Sequence, residues 1–194
     1  SFILNNFLGD IMALTYSSML PLGTKIPSFS LENTLDDSIY DSNMLSNGKN
    51  SVIMLICNHC PYVIHYHNEI VRLWRDFGTQ INFIAISSND IENYPQDRPE
   101  KMKKLFNDLN INFPYLFDAE QSVAKSLMAE CTPEFYLFNK SSSLIYRGRL
   151  DNSSPGKNIK ITGEDLRKAI EAALNNEDLI IDQKPSMGCN IKWK

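Results

Sequence analysis

The chain of 194 residues lacks any cluster of lysine and arginine, and its formal net charge at pH 7 is −4. Proteins that bind nucleic acid or anionic membrane surfaces usually carry such a basic cluster. The charge pattern therefore predicts that neither nucleic acid nor a membrane is a partner. No apolar run approaches the roughly 20 residues that a bilayer-spanning helix needs, so no membrane-spanning helix is predicted.

Cysteine is also scarce, with four residues in the whole chain. This number is too small for a scaffold built on disulfides. The first residues, Ser1–Ile11, lack a basic start and a small-residue cleavage site, so they make a poor secretory signal. We therefore expect a reducing, cytoplasmic setting. The chain has no internal repeat and no linker, and its length and composition suit one compact domain.

Apolar patterns along the chain alternate between strand and helix. Ser51–Ile56 and Ile81–Ser87 predict central strands, and Pro61–Phe77 between them has apolar residues at helical spacing up to Gly78. Other predicted elements are an edge strand at Ile26–Leu31, a polar loop at Asn89–Pro99, helices at Arg98–Leu109, Ala119–Met128 and Thr162–Leu174 with Thr162 as N-cap, and a hairpin of Phe135–Asn139 with Leu144–Arg149. This order predicts an α/β fold with a mixed sheet.

Cys57-Asn58-His59-Cys60 lies where a buried strand meets an amphipathic helix. A Cys-x-x-Cys motif at such a junction is typical of a redox site. The N-terminus of a helix favours the thiolate, which is the reactive form, and active sites of α/β sheets lie at the carboxyl ends of strands. The alternative is a pair of buried cysteines without a reaction.

The motif predicts a role for each residue. Cys57, at the helix N-cap, is the expected exposed nucleophile with a lowered pKa, which attacks a partner disulfide to form a mixed disulfide. Cys60, buried in the first helical turn, is expected to resolve it. His59 is expected to tune the site by donating an N–H group or by its positive charge when protonated. The alternative for His59 is a solvated loop residue.

Cys131-Thr132-Pro133 directly precedes the apolar strand predicted at Glu134–Phe138. An X-Pro bond is the place where a cis peptide costs little. The order of a redox junction, a strand and then a Thr-Pro hairpin resembles the thioredoxin fold, in which a cis-proline loop faces the Cys-x-x-Cys motif and holds the partner peptide. The resemblance implies a cis Thr132–Pro133 bond with Pro133 in contact with the Cys57 sulfur. The alternative is an ordinary trans proline.

Further segments resemble the redoxin (AhpC/TSA) branch of the thioredoxin-like superfamily, and within it a bacterial peroxiredoxin-like thioredoxin group. These segments are Leu20–Leu31, Ile56–Val63, Ser87–Asp90, Phe113–Asp118, Tyr146–Asp151 and Lys184–Trp193. The resemblance covers Met12–Lys194 and implies one thioredoxin-like domain, a three-layer α/β/α fold with a central mixed sheet and a C-terminal tail at 176–194. Members of the group usually begin near Met12, so Ser1–Ile11 is expected to be an extension.

The resemblance implies a thiol–disulfide oxidoreductase that needs no cofactor, with a protein disulfide as substrate and a thiol as reductant. Thiol peroxidase is the alternative reaction. Peroxiredoxins carry threonine or serine three residues before the peroxidatic cysteine, and a proline four residues before that. Cys60 aligns with the peroxidatic position, so Cys57 replaces the hydroxyl residue and Ile53 the proline, which disfavours the peroxidase. Ser51–Ile56 also lacks the buried acid of thioredoxin.

The other candidate residues have weaker signals. Cys131 could reach the rim of the site through the Thr-Pro loop, or it is a small buried filler. Cys189 could be a third redox thiol that docks near Cys57, or a structural residue of the tail. His65 and His67 face opposite sides of the predicted helix, so no metal site is predicted. A non-enzymatic module that binds a metal or a client protein is a further alternative, and the oligomeric state is open.

The C-terminal segment Asp182–Lys194 is polar and contains proline and glycine, so the sequence predicts no regular element there. Free tails are normally disordered unless side chains anchor them. The apolar residues Met187, Ile191 and Trp193 predict such anchoring. We therefore expect an ordered tail that wraps onto the domain, with Trp193 largely buried.

Overall fold

The computed structural model describes residues 3–5 and 11–194. The expected extension, Ser1–Ile11, lies mostly outside the described residues, and its boundary stays a prediction. The strands are β1 (Ile3–Asn5), β2 (Ile11–Tyr16), β3 (Ser30–Asn33), β4 (Ile39–Asp41), β5 (Ser51–Leu55), β6 (Asn82–Ser87), β7 (Tyr115–Phe117), β8 (Cys131–Thr132), β9 (Glu134–Phe138), β10 (Leu144–Gly148) and β11 (Met187–Asn190). The helices are α1 (Pro61–Ile64), α2 (His67–Phe77), α3 (Pro99–Asp108), α4 (Ser122–Ser126) and α5 (Glu164–Leu174), with short 3-10 helices at Ser42–Leu45 and Pro95–Asp97.

A central sheet of seven strands has the order β10-β9-β5-β6-β7-β3-β4. Strand β5 pairs in parallel with β6 and antiparallel with β9, so the predicted mixed sheet is confirmed. The apolar side chains of β5 alternate between the two faces, with Val52 and Met54 in one core and Ile53 and Leu55 in the other. All five residues of this strand are buried, as expected for a central strand that is covered on both faces.

Helices cover both faces of the sheet. Apolar residues of α2, α3 and α5 pack into the first core, including Leu73, Phe106 and Ile170. Helix α4 packs into the second core through Val123 and Ala124. The expected three-layer α/β/α arrangement is therefore confirmed. Among the residues that the structure describes, no helix combines the length and the apolar character needed to cross a bilayer.

Two helix predictions need correction. The single helix expected at Pro61–Phe77 is interrupted at Tyr66, whose backbone has φ −101 and ψ 1. The hydroxyl of Tyr66 lies 2.8 Å from Asp151 Oδ1, a buried contact that favours this orientation. The N-cap of α5 is Gly163, at φ 65, rather than Thr162. Thr162 Oγ1 still accepts the Glu164 N–H at 3.3 Å, which is the kind of contact that an N-cap side chain makes.

A second sheet has the order β1-β2-β11-β8 and contains part of the C-terminal tail. The prediction of no regular element at Asp182–Lys194 is therefore wrong, because backbone pairing with β2 and β8 creates strand β11. The predicted ordered tail is confirmed, with Ile191 buried. Trp193 is 40% exposed, so its predicted burial is wrong. The Trp193 ring lies instead beneath the surface ammonium of Lys125.

Candidate active site

The two cysteines of the motif lie at the carboxyl end of β5, against strand β8. The Thr132–Pro133 peptide is cis, as expected. Thr132 contacts both sulfurs, with its Oγ1 at 3.5 Å from Cys57 Sγ and its carbonyl oxygen at 3.4 Å from Cys60 Sγ. The structure thus brings Cys57, Cys60 and Thr132 together. The direct contact between Pro133 and the Cys57 sulfur stays a prediction.

The expected exposure of Cys57 is wrong. Cys57 is 1% exposed, and the N-cap of α1 is Cys60 instead. The loop between the cysteines is hydrogen-bonded to the 3-10 helix at Pro95–Asp97. Asn58 donates its backbone N–H to Asp97 Oδ1 at 2.9 Å and its side-chain N–H to Gln96 O at 3.1 Å.

Asp97 is a candidate site residue that the sequence analysis does not single out. Its carboxylate is fully buried and also accepts an N–H from Asn89 Nδ2 at 2.9 Å. His59 Nδ1 lies 2.7 Å from Asp97 Oδ2, although the direction of the ring N–H is too oblique for a good hydrogen bond. His59 therefore faces the buried acid rather than bulk solvent. The sequence signal for Asp97 is its place in the loop after a central strand, since such loops meet at the edge of the sheet where the cysteines lie.

Cys189 supplies a third sulfur. Its Sγ lies 2.7 Å from Cys60 Sγ, because the register of β11 places Cys189 opposite Thr132. Cys189 therefore reaches the redox motif, and its contact is with Cys60 rather than with Cys57. Cys131 is fully buried in β8, and the contact of its sulfur is with Ser186 O at 3.9 Å. This environment matches the filler interpretation of Cys131.

The contacts among the three neighbouring thiols favour ionisation of Cys60 over the other two. Burial opposes its ionisation, but hydrogen bonds from the Cys189 and Cys57 thiols outweigh burial and lower the pKa of Cys60. The hydrogen bond to Cys60, burial and the nearby charge of Asp97 raise the pKa of Cys57. The hydrogen bond to Cys60 and burial raise the pKa of Cys189 as well. The expected lowered pKa of Cys57 is therefore wrong.

A buried acid lies on the neighbouring strand instead of on β5. Glu134 directly follows Pro133 and is opposite Leu55 in the sheet register. Burial raises the pKa of Glu134 to about 7, while hydrogen bonds from Ser17 and from the backbone of Glu130 act in the other direction. This carboxyl group can therefore exchange a proton near neutral pH.

One group of candidate metal ligands occurs among residues 3–5 and 11–194. It consists of Cys57, His59 and Asp97, whose ligand atoms lie within 4.8 Å of one another. These three residues are the ones that could hold a metal ion. The two Asp97 oxygens would then have to bind the metal while they still accept the N–H groups of Asn58 and Asn89. His65 lies outside this group, with its Nε2 at 2.8 Å from Ser153 Oγ.

Comparisons with known proteins agree with this architecture. The model of the AhpC/TSA family matches residues 22–147. An uncharacterized conserved protein from Geobacillus kaustophilus is 46% identical, with a TM-score of 0.92 and coverage of 94% of this chain and 97% of that chain.

Two more distant structures share the fold alone. A putative thioredoxin from Neisseria meningitidis is 20% identical, with a TM-score of 0.61 and coverage of 81% of this chain and 94% of that chain. A secreted disulfide oxidoreductase from Mycobacterium tuberculosis is 15% identical, with a TM-score of 0.59 and coverage of 74% and 95%. No curated protein matches the chain. These similarities confirm the expected thioredoxin-like fold of the redoxin branch.

Proposed function

The chain belongs to the AhpC/TSA family, and from that membership we propose that it is a thiol–disulfide oxidoreductase that works through Cys57 and Cys60. The observation that carries the proposal is the hydrogen-bonded pair of thiols at the carboxyl end of β5, with Thr132 in contact with both sulfurs. Hydrogen bonds that favour a thiolate activate a cysteine for attack on a disulfide.

The position of the charge assigns the order of attack. The Cys60 thiolate attacks one sulfur of a partner disulfide, the partner's S–S bond breaks, and the leaving thiolate takes a proton from water. Cys57 then loses its proton to solvent and attacks the Cys60 sulfur, which expels the second partner thiolate. Two electrons pass from the cysteines to the partner, and a Cys57–Cys60 disulfide remains. The roles of the two cysteines are thus the reverse of those expected from the motif alone.

His59 and Asp97 are positioning residues in this proposal. Asp97 holds the loop through Asn58, and its negative charge disfavours a thiolate on Cys57. The charge therefore stays on Cys60 until that sulfur has reacted. His59 belongs to the same loop, and its Nδ1 lies 2.7 Å from Asp97 Oδ2.

The substrate and the setting are part of the proposal. The similar fold of a secreted disulfide oxidoreductase supports a protein disulfide as the substrate class. A thiol reductant then regenerates the dithiol, which fits the cytoplasmic setting expected from the sequence. All four cysteines are buried, so a protein substrate needs local opening of the surface above the sulfurs, whereas a small disulfide needs less.

Thiol peroxidase is the second candidate, and the family membership and the charge on Cys60 favour it. In this reaction the Cys60 thiolate attacks a peroxide oxygen, the O–O bond breaks, and an alcohol or water leaves as Cys60 becomes a sulfenic acid. A second thiol then attacks the sulfur and releases water. A peroxide is small enough to approach a buried sulfur. The peroxidase reaction is disfavoured because Cys57 occupies the position at which peroxiredoxins carry a threonine or serine.

Steady-state turnover with a dithiol reductant separates the two reactions. We expect turnover of a small aromatic disulfide, and peroxide consumption close to that of free cysteine. The Cys60→Ser variant should lose turnover, while Cys131→Ser, a substitution at the buried cysteine within β8, should keep it. Fast peroxide consumption that Cys60→Ser abolishes would assign the peroxidase instead. Full turnover by Cys60→Ser would reject Cys60 as the reacting sulfur in either reaction.

A further inference from the structure

We propose that Cys189 is a second resolving thiol, and that a Cys60–Cys189 disulfide is an oxidation product of this protein. The proposal rests on the proposed thiol chemistry of Cys60 and adds a residue of the tail to it. Its basis is the contact between two sulfurs that are 129 positions apart in the chain and 2.7 Å apart in space. A disulfide bond measures about 2.05 Å, so the two sulfurs need to approach by less than about 1 Å.

The backbone of the tail fixes the position of the Cys189 sulfur. Cys189 pairs with Thr132 on one side of β11 and with Leu14 on the other. The residue before it, Gly188, passes so close to β8 that a Cβ atom there would collide with the carbonyl oxygen of Thr132. Glycine is therefore required at this position, and its absent side chain is what lets Cys189 approach Cys60.

Side-chain and backbone hydrogen bonds hold the tail on both sides of Cys189. Before it, the Ser186 hydroxyl donates to Pro133 O. After it, Ile191 donates its N–H to Glu130 O at 3.1 Å, and Lys192 donates its N–H to Asn89 Oδ1 at 2.9 Å. The sulfur is therefore held in place by contacts on each side, unlike a thiol on a free terminus.

The environment of Cys189 differs from that of a cysteine used as filler. Cys131, in the adjacent strand, directs its sulfur toward the carbonyl oxygen of Ser186. Cys189 directs its sulfur toward another sulfur, and its hydrogen bond is one of the contacts that stabilise the charge on Cys60. The same contact that helps Cys60 to ionise places a second thiol 2.7 Å from the sulfur that it would resolve.

The step balances without a new co-reactant. When Cys60 carries a partner thiol as a mixed disulfide, Cys189 gives its proton to solvent and attacks the Cys60 sulfur. The bond from Cys60 to the partner breaks, and the partner thiolate leaves with the electron pair and is protonated. When Cys60 is instead joined to Cys57, the same attack releases Cys57 and transfers the disulfide without net oxidation. A dithiol reductant then restores all three thiols.

The test uses the full chain, reduced and then oxidised with one equivalent of diamide, a thiol oxidant. Acid quenching, alkylation, digestion and mass spectrometry then identify the linked peptides. In Cys57→Ser, which leaves the tail unchanged, we expect a Cys60–Cys189 link to form at a rate within about tenfold of wild-type disulfide formation. Cys131→Ser is the matched control and should give the wild-type pattern.

Two results would overturn the inference and remain distinguishable. If wild type forms a Cys57–Cys60 link and Cys57→Ser forms no Cys60–Cys189 link, Cys189 is structural and the proposed function stands. If neither protein forms any link through Cys60, the proposed function fails together with the inference. Far-ultraviolet circular dichroism of Cys57→Ser, recorded on the same sample, verifies that the variant is folded.

Discussion

Asp97 Oδ1 accepts the backbone N–H of Asn58 at 2.9 Å, so a fully buried carboxylate holds the loop between Cys57 and Cys60. This contact ties the loop between the cysteines to the 3-10 helix at Pro95–Asp97. It also brings a negative charge close to Cys57, which keeps the thiolate on Cys60.

Replacement of that carboxylate should disturb the loop. In Asp97→Asn an NH₂ group replaces one oxygen and meets either the Asn58 N–H or the Asn89 amide. We expect a loss of about 1–3 kcal/mol in the free energy of unfolding, because a buried donor loses its acceptor. Urea unfolding measures this loss. Asp108→Asn, on the exposed surface of α3 and in an exposed ion pair, should change stability by less than about 1 kcal/mol. Equal effects would contradict the positioning role of Asp97.

Glu134 should make stability depend on pH. Its folded pKa of about 7 lies above the ordinary value of 4.5. Below pH 4.5 the carboxyl group is protonated in both states, and as the pH rises to 7 the unfolded chain releases its proton first. The folded state therefore loses stability across this window, on the order of 3 kcal/mol, and the loss levels off above pH 7. Glu134→Gln should remove most of this slope.

Urea unfolding at pH 4.5, 6 and 8 tests this expectation by the difference between wild type and Glu134→Gln. Burial lowers the pKa of His65 and His67, which titrate in the same window with the opposite sign. The difference between the two proteins cancels their contribution. A constant difference across these pH values would show that Glu134 does not titrate as the structure indicates.

Gly188→Ala should displace the tail from β8, because the new Cβ would collide with Thr132 O. Steric overlap with rigid backbone typically costs about 1–3 kcal/mol or more. The variant should therefore unfold at lower urea concentration and form the Cys60–Cys189 link more slowly. Gly156→Ala is a matched control: its φ of +81 strains alanine, but no atom lies near the added Cβ. Gly156→Ala should lose only about 1–2 kcal/mol and keep the wild-type rate of link formation.

The Cys60–Cys189 disulfide should stabilise the fold more than the Cys57–Cys60 disulfide. It joins residues 129 positions apart, and the chain-entropy model assigns about 5 kcal/mol to a loop of that length. The short loop of the motif gives about 2 kcal/mol in the same model. The melting temperature of oxidised Cys57→Ser should therefore lie roughly 10 °C or more above that of its reduced form. For Cys189→Ser, oxidation should raise the melting temperature by less than half as much. Calorimetry measures both melting temperatures. An equal rise on oxidation in the two variants would contradict the formation of the Cys60–Cys189 disulfide.

The sequence predicts those parts of the molecule that depend on local pattern. The apolar run Ser51–Ile56 predicts the central strand, and the hairpin of β9 and β10 follows from two apolar runs with a polar turn between them. The position of the cysteines at the end of β5 follows from the same local pattern. The Thr-Pro loop is also predicted locally, because it directly precedes the first strand of that hairpin.

Contacts between distant segments could not be read from the sequence. The loop after Cys57 is hydrogen-bonded to Asp97, 40 positions after that cysteine, and the strand in the tail depends on pairing with β8. The polar composition of Asp182–Lys194 suggested an irregular tail, because pairing with another strand leaves no local periodic signal in four residues. The charge on Cys60 likewise arises from three thiols that only the fold brings together.

The most direct test of the account is the rate at which reduced protein reacts with a small aromatic disulfide as a function of pH, measured by stopped flow. Attack by a preformed Cys60 thiolate predicts that wild type and Cys57→Ser both react well below the pH of about 8.5 at which a free thiol ionises. Cys60→Ser should react at least about 100-fold more slowly at pH 6. A fast reaction that survives in Cys60→Ser and disappears in Cys57→Ser would contradict the assignment of Cys60 as the attacking sulfur.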